Sequence, residues 1–268
     1  NETLFHFSCG LMILSIVIPF HNEEKNLEDT IKKLYSFFKS HKLKGEIIAV
    51  DDRSTDDTGK ILDSLSKKYG ILKVLHRKGD QHDVEVGYAI RDGIKAAKYD
   101  IVTIMMGDLS DDPNDILKMI KKINEGYDIV CGSRFIKGSK LVDYPLLKYA
   151  MVRIYNFMFT LIFGLKVKDF SNAFKSYRRD VFKKVKLESK EFEITAEMLL
   201  KAHIYGYKIA EVPVSWINRR SGESKLGTFN FSFQFLFLKL PRIGFRYGMV
   251  ALKLYSIYLI SRLAKILD

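Results

Sequence analysis

The first half of the chain alternates short apolar runs with longer segments of mixed polarity. Short apolar runs bounded by polar residues predict buried strands, and their alternation with helices is typical of a parallel sheet. Strands are expected near 13–19, 46–50, 71–76, 100–105 and 128–132, with helices near 24–41, 56–69, 84–98 and 113–125. The pattern therefore predicts an α/β fold with a mostly parallel sheet flanked by helices.

The rhythm changes after residue 134. A helix that is apolar nearly all round is expected over 146–164, a second helix over 191–205 and a late strand over 208–214. Repeats and low-complexity stretches are absent from the sequence. We therefore expect one α/β domain over residues 1–228, followed by a C-terminal segment over 229–268.

Three of the predicted strands end in short acidic motifs. Residues 14–20 lead into His21-Asn22-Glu23-Glu24, residues 47–50 into Asp51-Asp52, and residues 101–106 into Gly107-Asp108. The carboxyl ends of parallel strands are where open α/β sheets bind ligands. Carboxylates there can hold ribose hydroxyls and a divalent cation, which in turn holds phosphates. The motifs predict a site for a nucleotide with a metal-bridged diphosphate.

The order of these motifs resembles glycosyltransferase family two, which has the GT-A fold. The resemblance rests on 16–19 with Asn22-Glu23, on Val50-Asp51-Asp52 with Ser54, Asp56 and Thr58, on Gly132-Ser133-Arg134, on 169–178, and on 219–225 (Arg-Arg-Ser-Gly-Glu-Ser-Lys). Together they resemble dolichol-phosphate mannose synthases and related polyprenyl-phosphate glycosyltransferases over roughly residues 12–228. Each motif is weak alone, but five in the family's order are specific.

The resemblance implies a GT-A domain with membrane-interface helices at its C-terminal end. It implies inverting transfer of a hexose, mannose or glucose, from a nucleotide sugar (GDP-mannose or UDP-glucose) to a polyprenyl or dolichyl phosphate. The residues it implies for donor binding are Pro19, His21, Glu23, Val50, Asp52, Gly107, Asp108, Arg134, Arg219 and Lys225. The last four of these are also expected at the reacting centre. For Asp51 and Asp52 the structural alternative is capping of the helix near 56–69.

The family's metal motif is altered in this chain. The usual pattern is Asp-Ala-Asp-Leu, but Met106 stands in place of the first aspartate and Gly107 in place of the alanine. Asp108 is the predicted ligand of a Mg²⁺ or Mn²⁺ ion, and Mg²⁺ needs only one or two carboxylates. Asp111 and Asp112 are candidates to replace the missing carboxylate, unless both cap the helix beginning at Pro113 or the ion depends mainly on Asp108 and the diphosphate.

The cationic motifs favour a phosphate acceptor. A phosphate monoester has a second pKa of about 6 and is already a dianionic nucleophile at pH 7, whereas a sugar hydroxyl needs a general base. Fixed charges at Arg134, Arg219 and Lys225 would offset the repulsion between two anionic substrates. If the acceptor is instead a glycan hydroxyl, Glu193 and Glu197 are the candidate bases. The single tryptophan, Trp216, excludes the Gln-x-x-Arg-Trp motif of processive synthases.

Net charge is +12, and from residue 219 onward nine Lys or Arg stand against two acidic residues. Aromatic and aliphatic residues are interleaved with them, a composition typical of a membrane interface. The alternative is a packed C-terminal helix with a solvated basic face. A basic nucleotide- or nucleic-acid-binding module is the non-enzymatic alternative, although nucleic acid is not the partner we expect.

The sequence predicts peripheral attachment to the cytoplasmic face of a membrane. The chain lacks an uninterrupted run of the ~18 apolar residues expected of a spanning helix. Residues 5–12 have neither the basic start nor the cleavage site of a signal peptide. The two cysteines, Cys9 and Cys131, are far apart in sequence and suit a reducing compartment.

Overall fold

The computed structural model describes residues 13–79, 84–218 and 240–267. The strands are β1 (Ile13–Phe20), β2 (Lys44–Asp51), β3 (Leu72–His76), β4 (Ile101–Ile104), β5 (Ile129–Ser133), β6 (Lys140–Val142), β7 (Lys175–Arg178), β8 (Ile209–Pro213) and β9 (Ser215–Ile217). The helices are α1 (Glu24–Ser40), α2 (Thr58–Lys68), α3 (Val86–Ala96), α4 (Asp115–Asn124), α5 (Leu146–Phe163), α6 (Val181–Lys184), α7 (Ile194–Ile204) and α8 (Leu240–Leu267). The predicted residues Arg219 and Lys225, and the phenylalanine-rich stretch 229–239, lie outside the described residues.

Seven strands form one sheet in the order β3-β2-β1-β4-β7-β5-β8. All neighbours are parallel except β7, which is antiparallel to both β4 and β5. β6 and β9 form a separate parallel pair. The predicted mostly parallel α/β sheet is therefore confirmed.

The strands and helices expected in the first half are all present, with ends that differ by up to two residues. β6, β7, β9 and α6 were not predicted. β7 has the sequence Lys-Ser-Tyr-Arg, and three of its four residues are buried. A search for apolar runs cannot find such a strand, because its burial comes from the two strands that flank it.

Helices cover both faces of the sheet. Along β1, Ile16, Ile18 and Phe20 belong to the core under α1, α2 and α4, while Val17 belongs to the core under α3, α5 and α7. This alternation follows from the two-residue period of a strand. A Cβ atom added to Gly93 in α3 would lie 2.3 Å from Cγ1 of Val17, so α3 lies directly on the sheet.

α8 packs against α5 and α7. Tyr155 of α5 lies 4.8 Å from Tyr247 of α8 between ring centroids, and Lys253 of α8 pairs with Glu188 at 2.5 Å. Many large side chains of α5 and of the described part of α8 are exposed, among them Leu146, Ile154, Phe157, Met158, Leu161, Phe245, Met249, Leu252, Leu259 and Ile260. By length and composition, α5 is the one helix of the described ranges that could cross a membrane. Both helices therefore expose apolar side chains to solvent.

Candidate functional site

Side-chain contacts join the loops after β1 and β2. Asn22, which has a φ of 52°, accepts a hydrogen bond from the backbone N–H of Thr55 at 2.8 Å. In return, the backbone N–H groups of Asn22 and Glu23 donate to the hydroxyls of Ser54 at 3.1 Å and Thr58 at 2.9 Å. The polar residues of these two motifs therefore hold two strand ends together as one platform.

Asp51 has a structural role in this platform. Its carboxylate accepts a hydrogen bond from the backbone N–H of Ser54 at 3.1 Å and contacts Nδ1 of His76 at 2.9 Å. The other nitrogen of His76 contacts Asp63 at 3.0 Å, and hydrogen bonds to Asp63 and Asp51 raise the pKa of this histidine. α2 begins only at Thr58, so Asp51 braces β2 against β3 and does not cap the helix.

Asp52, the residue after Asp51 at the end of β2, is paired with arginines. Its buried carboxylate receives the guanidinium groups of Arg77 and, at 3.4 Å, of Arg53. Arg77 also donates to Asp92 at 3.0 Å, which fixes it over the start of α3. His21 donates from Nδ1 to the backbone carbonyl of Asp52 at 2.8 Å, since a carbonyl can only accept. The residues expected around the nucleoside are therefore oriented before any ligand binds.

The remaining residues expected in this pocket are placed differently. Pro19 pairs in register with Val50, but the Val50 side chain is fully buried in the core beside Gly93. Only its backbone remains near the strand end. The Glu23 carboxylate accepts a hydrogen bond from Nδ2 of Asn26 at 2.9 Å within the first turn of α1.

The end of β4 carries the predicted metal ligand. A Cβ atom on Gly107 would lie 2.4 Å from the ring of Phe20, so only glycine fits at this position. Thr30 donates to the Gly107 carbonyl at 3.2 Å. The next residue, Asp108, is half-buried and accepts hydrogen bonds from the backbone N–H of Ser110 at 3.1 Å and from its hydroxyl at 2.6 Å. Hydrogen bonds therefore hold the chain in place just before Asp108, at Gly107, and just after it, at Ser110.

Asp111 and Asp112 have different surroundings. The Asp112 carboxylate accepts hydrogen bonds from the backbone and side chain of Asn114, at 3.1 and 3.0 Å, and so caps the turn before α4. Asp111 is 2% exposed, and its Oδ1 has no hydrogen-bond partner among the described residues. Burial and, to a lesser extent, the nearby Asp108 carboxylate raise the pKa of Asp111 to about 7, and Arg134 opposes this shift. Helix capping therefore describes Asp112 but not Asp111.

These carboxylates fit a sparse divalent-cation site. In the described ranges no group of three or more His, Cys, Asp or Glu residues could hold a metal ion. Mg²⁺ is typically bound by one or two carboxylates together with substrate phosphates and waters. Asp108, with an unpaired buried carboxylate oxygen of Asp111 near it, matches that pattern.

Arg134 follows β5 and is paired with Asp169. Its Nε and one terminal nitrogen donate to the two carboxylate oxygens at 2.7 and 2.9 Å, and its backbone N–H donates to the same group at 3.0 Å. Arg134 is 7% exposed and Asp169 is fully buried. Burial alone would raise the pKa of Asp169, but Arg134 holds it below its ordinary value. The charge on Arg134 is therefore fixed in position and partly neutralised.

An aromatic and cationic cluster surrounds Arg134. Its guanidinium lies 5.3 Å from the ring centre of Phe135 and 3.5 Å from the Tyr144 hydroxyl. Lys148 of α5 lies 5.0 Å from the ring centre of Trp216, and Arg153 of α5 lies 5.4 Å from that of Phe135. The basic side of the site thus adjoins the apolar helix α5. Sequence reasoning did not assign a role to Asp169, Tyr144 or Phe135, because no spacing pattern links them to Arg134.

The fold and site together define an α/β protein with a mostly parallel sheet, carboxylates at strand ends and a buried arginine held by Asp169. The model of the family described as Glycosyl transferase family 2 matches residues 15–186. The chain belongs to glycosyltransferase family 2, which confirms the resemblance drawn from the motifs.

Among its relatives is a dolichol-phosphate mannosyltransferase of Pyrococcus furiosus, 33% identical over 219 residues, which cover 80% of this chain and 59% of the relative. The chain thus spans somewhat over half the length of that protein. An undecaprenyl-phosphate mannosyltransferase of Micrococcus luteus is 26% identical over 218 residues, covering 78% of this chain and 86% of the relative.

Among solved structures, the chain is similar to glucosyl-3-phosphoglycerate synthase from Mycobacterium tuberculosis in complex with Mn²⁺, uridine diphosphate and phosphoglyceric acid. The TM-score is 0.62 at 18% identity, over 93% of this chain and 79% of that one. This likeness confirms the predicted GT-A fold.

Proposed function

We propose that this protein is an inverting hexosyltransferase that moves mannose or glucose from a nucleotide sugar to a polyprenyl or dolichyl phosphate. The observation that carries the proposal is the position of Arg134. Its positive charge acts on the carboxyl group of Asp111, which follows the end of β4. Through Tyr144 and Phe135 it also adjoins Lys148 and Arg153 of the apolar helix α5. A lipid phosphate would approach from that side.

The donor half of the site is built on the ends of β1, β2 and β4. Asp52 and His21 are the proposed contacts of the nucleoside. Arg77 orients the Asp52 carboxylate, and the backbone carbonyl of Asp52 orients the His21 ring. Asp108 is the proposed ligand of a Mg²⁺ or Mn²⁺ ion, which when bound would neutralise charge on the diphosphate leaving group. The names of the two mannosyltransferase relatives favour GDP-mannose as the donor, and UDP-glucose is the alternative.

The acceptor half needs charge but no general base, because a phosphate monoester is already ionised at pH 7. Glu197, a candidate base for a hydroxyl acceptor, is occupied: it accepts backbone N–H groups of Glu188 and Ser189 at 3.0 and 2.8 Å and pairs with Lys201 at 2.6 Å. Glu193 is buried. Both observations favour a phosphate acceptor over a glycan hydroxyl, and family membership gives no support to nucleic acid as a partner.

We further propose that the exposed apolar faces of α5 and α8 rest on the cytoplasmic face of a membrane. Exposed apolar side chains on two helices that pack together are suited to that role if the substrate is a lipid phosphate. Basic residues near anionic lipid contribute about 1 kcal/mol each, so the basic segment from residue 219 onward would add to this attachment. The division into a catalytic domain (1–228) and a membrane-associating segment (229–268) belongs to the same proposal.

The activity is tested by incubating the protein with GDP-mannose or UDP-glucose, Mg²⁺ or Mn²⁺, and a short polyprenyl phosphate. We expect a β-linked lipid-phosphate sugar. Transfer only to free sugars, glycans or proteins would refute the proposed acceptor.

The membrane role is tested by liposome flotation. Deleting α8 would uncover its contacts with α5, so we use the double variant Leu161→Gln/Leu252→Gln on the exposed faces. It should bind anionic liposomes more weakly while still binding the nucleotide sugar. Lys60→Gln on α2, which lies on the opposite face of the sheet, is the control. Equal flotation of the double variant and the wild type would show that these faces do not bind membrane.

A further inference from the structure

The acid that the family's metal motif loses at Met106 has a structural substitute. We propose that Asp111, and not Asp112, supplies the second carboxylate of the divalent-cation site beside Asp108. This inference rests on the proposed function, since it concerns the ion that would bridge the donor diphosphate. It assigns a ligand position that lies outside the Asp-Ala-Asp pattern.

The Asp111 carboxyl group lies beside the backbone of Met106, the residue that stands in place of the missing aspartate. The backbone N–H of Met106 is hydrogen-bonded to it, and the Asp108 carboxylate is near enough to act on its charge. Its Oδ1 is buried and has no hydrogen-bond partner in the described part of the chain. A buried carboxylate oxygen without a donor, next to a second carboxylate, is costly unless a cation is bound or the group takes up a proton.

The main chain around Asp111 is held in place. Asp111 forms an antiparallel bridge with Trp216, and Ile217 donates its backbone N–H to the Ser110 carbonyl at 2.9 Å. Lys33 of α1 donates to the Asp111 carbonyl at 3.2 Å. The side chain therefore points inward because its backbone is fixed on both sides, and a ligand held in this way needs little rearrangement to bind.

Two other roles for Asp111 and Asp112, helix capping and charge pairing with Arg134, do not explain the unpaired oxygen of Asp111. Asp112 is engaged by Asn114 in the turn before α4 and points to the helix start. A counter-ion role of Asp111 for Arg134 is not needed, because Asp169 already accepts from Nε and one terminal nitrogen of that guanidinium. A cation between Asp108 and Asp111 accounts for the unpaired oxygen, which neither alternative does.

The test measures Mn²⁺ binding directly, by electron paramagnetic resonance of free Mn²⁺ in the presence of uridine or guanosine diphosphate. Asp111→Asn should weaken Mn²⁺ binding at least tenfold, and Asp112→Asn, the matched control, by no more than twofold. In the absence of metal, Asp111→Asn should keep or raise the thermal unfolding midpoint, because it removes a buried unpaired carboxylate. It should also lose the upward shift that Mn²⁺ with the diphosphate produces in the wild type.

A second variant guards against misfolding. Met106→Asp restores the family's first aspartate, so Met106→Asp/Asp111→Asn should regain most of the lost Mn²⁺ affinity. Wild-type affinity in Asp111→Asn, alongside a loss in Asp108→Asn, would overturn the role of Asp111 and leave the proposed transferase standing. A wild-type protein that binds no Mn²⁺ with either diphosphate would overturn both.

Discussion

Replacing Asp169 by asparagine tests how the cationic side of the site is held. The substitution keeps the shape of the side chain but removes the charge that faces Arg134. Oδ2 of Asp169 accepts from both the Arg134 backbone N–H at 3.0 Å and its Nε at 2.7 Å, and Oδ1 accepts from a terminal nitrogen at 2.9 Å. In asparagine one of these oxygens is replaced by an amide nitrogen, which cannot accept a hydrogen bond. Arg134 is left as a buried cation without its counter-ion.

The magnitude follows from burial. Asp169 is 0% and Arg134 7% exposed, so solvent cannot replace the lost partner. Removing one member of a buried ion pair costs about 3–5 kcal/mol, because the other charge stays buried and unpaired. In a protein of this size 1 kcal/mol shifts the unfolding midpoint by roughly 2–4 °C, so we expect a decrease of roughly 6–20 °C.

The assay is unfolding by heat, which gives the midpoint, and by urea, which gives the free energy, both followed by tryptophan fluorescence. Trp216 is the single tryptophan, and its ring lies 4.7 Å from that of Tyr144, which contacts Arg134, so the signal reports on this region. Asp180→Asn is the matched control: Asp180 pairs with Lys183 at 2.7 Å but is 74% exposed, so its loss should have no measurable effect.

Asp169→Asn should also lower the proposed transfer activity. Arg134 without Asp169 would adopt other orientations, so transfer to the lipid phosphate should fall more than binding of the nucleotide sugar. A loss of less than about 1 kcal/mol in Asp169→Asn would refute the argument, since breaking a tight buried pair should cost more.

Two further predictions concern the strand ends. Gly107→Ala should destabilise the protein by about 1–3 kcal/mol and weaken Mn²⁺ binding, because the new Cβ would lie 2.4 Å from the buried ring of Phe20. Thermal unfolding and Mn²⁺ titration measure the two effects. Gly70→Ala is the control, because a Cβ atom there would have no atom within 4 Å. His76 has a raised pKa in the folded state, so its contribution to stability is complete below the ordinary histidine pKa of about 6.5 and is lost as pH rises through the raised value. The difference in unfolding midpoint between wild type and His76→Gln should therefore shrink from about pH 5.5 to about pH 8.5, and a difference independent of pH would contradict this.

The sequence by itself determined the α/β fold and the location of the donor site. The buried strands β1 and β2 are long apolar runs. A strand that is apolar on both faces is stable only in a sheet that has helices packed on both faces. Because parallel strands share one carboxyl edge, the motifs that follow them had to converge there. This local information was enough to place Asp52 and Asp108 on one edge of the sheet.

Tertiary structure alone decided which acidic residues are buried or paired and what holds Arg134. β7 inserts antiparallel between β4 and β5, with Lys175 opposite Cys131, so the loop before β7 meets the loop after β5. That insertion brings Asp169 to Arg134, although the two are 35 residues apart. The different surroundings of Asp111, which is buried, and of Asp112, which contacts Asn114, likewise depend on the backbone bridge between Asp111 and Trp216. Local periodicity carries no information about such contacts, because they arise only when the order of strands in the sheet is set.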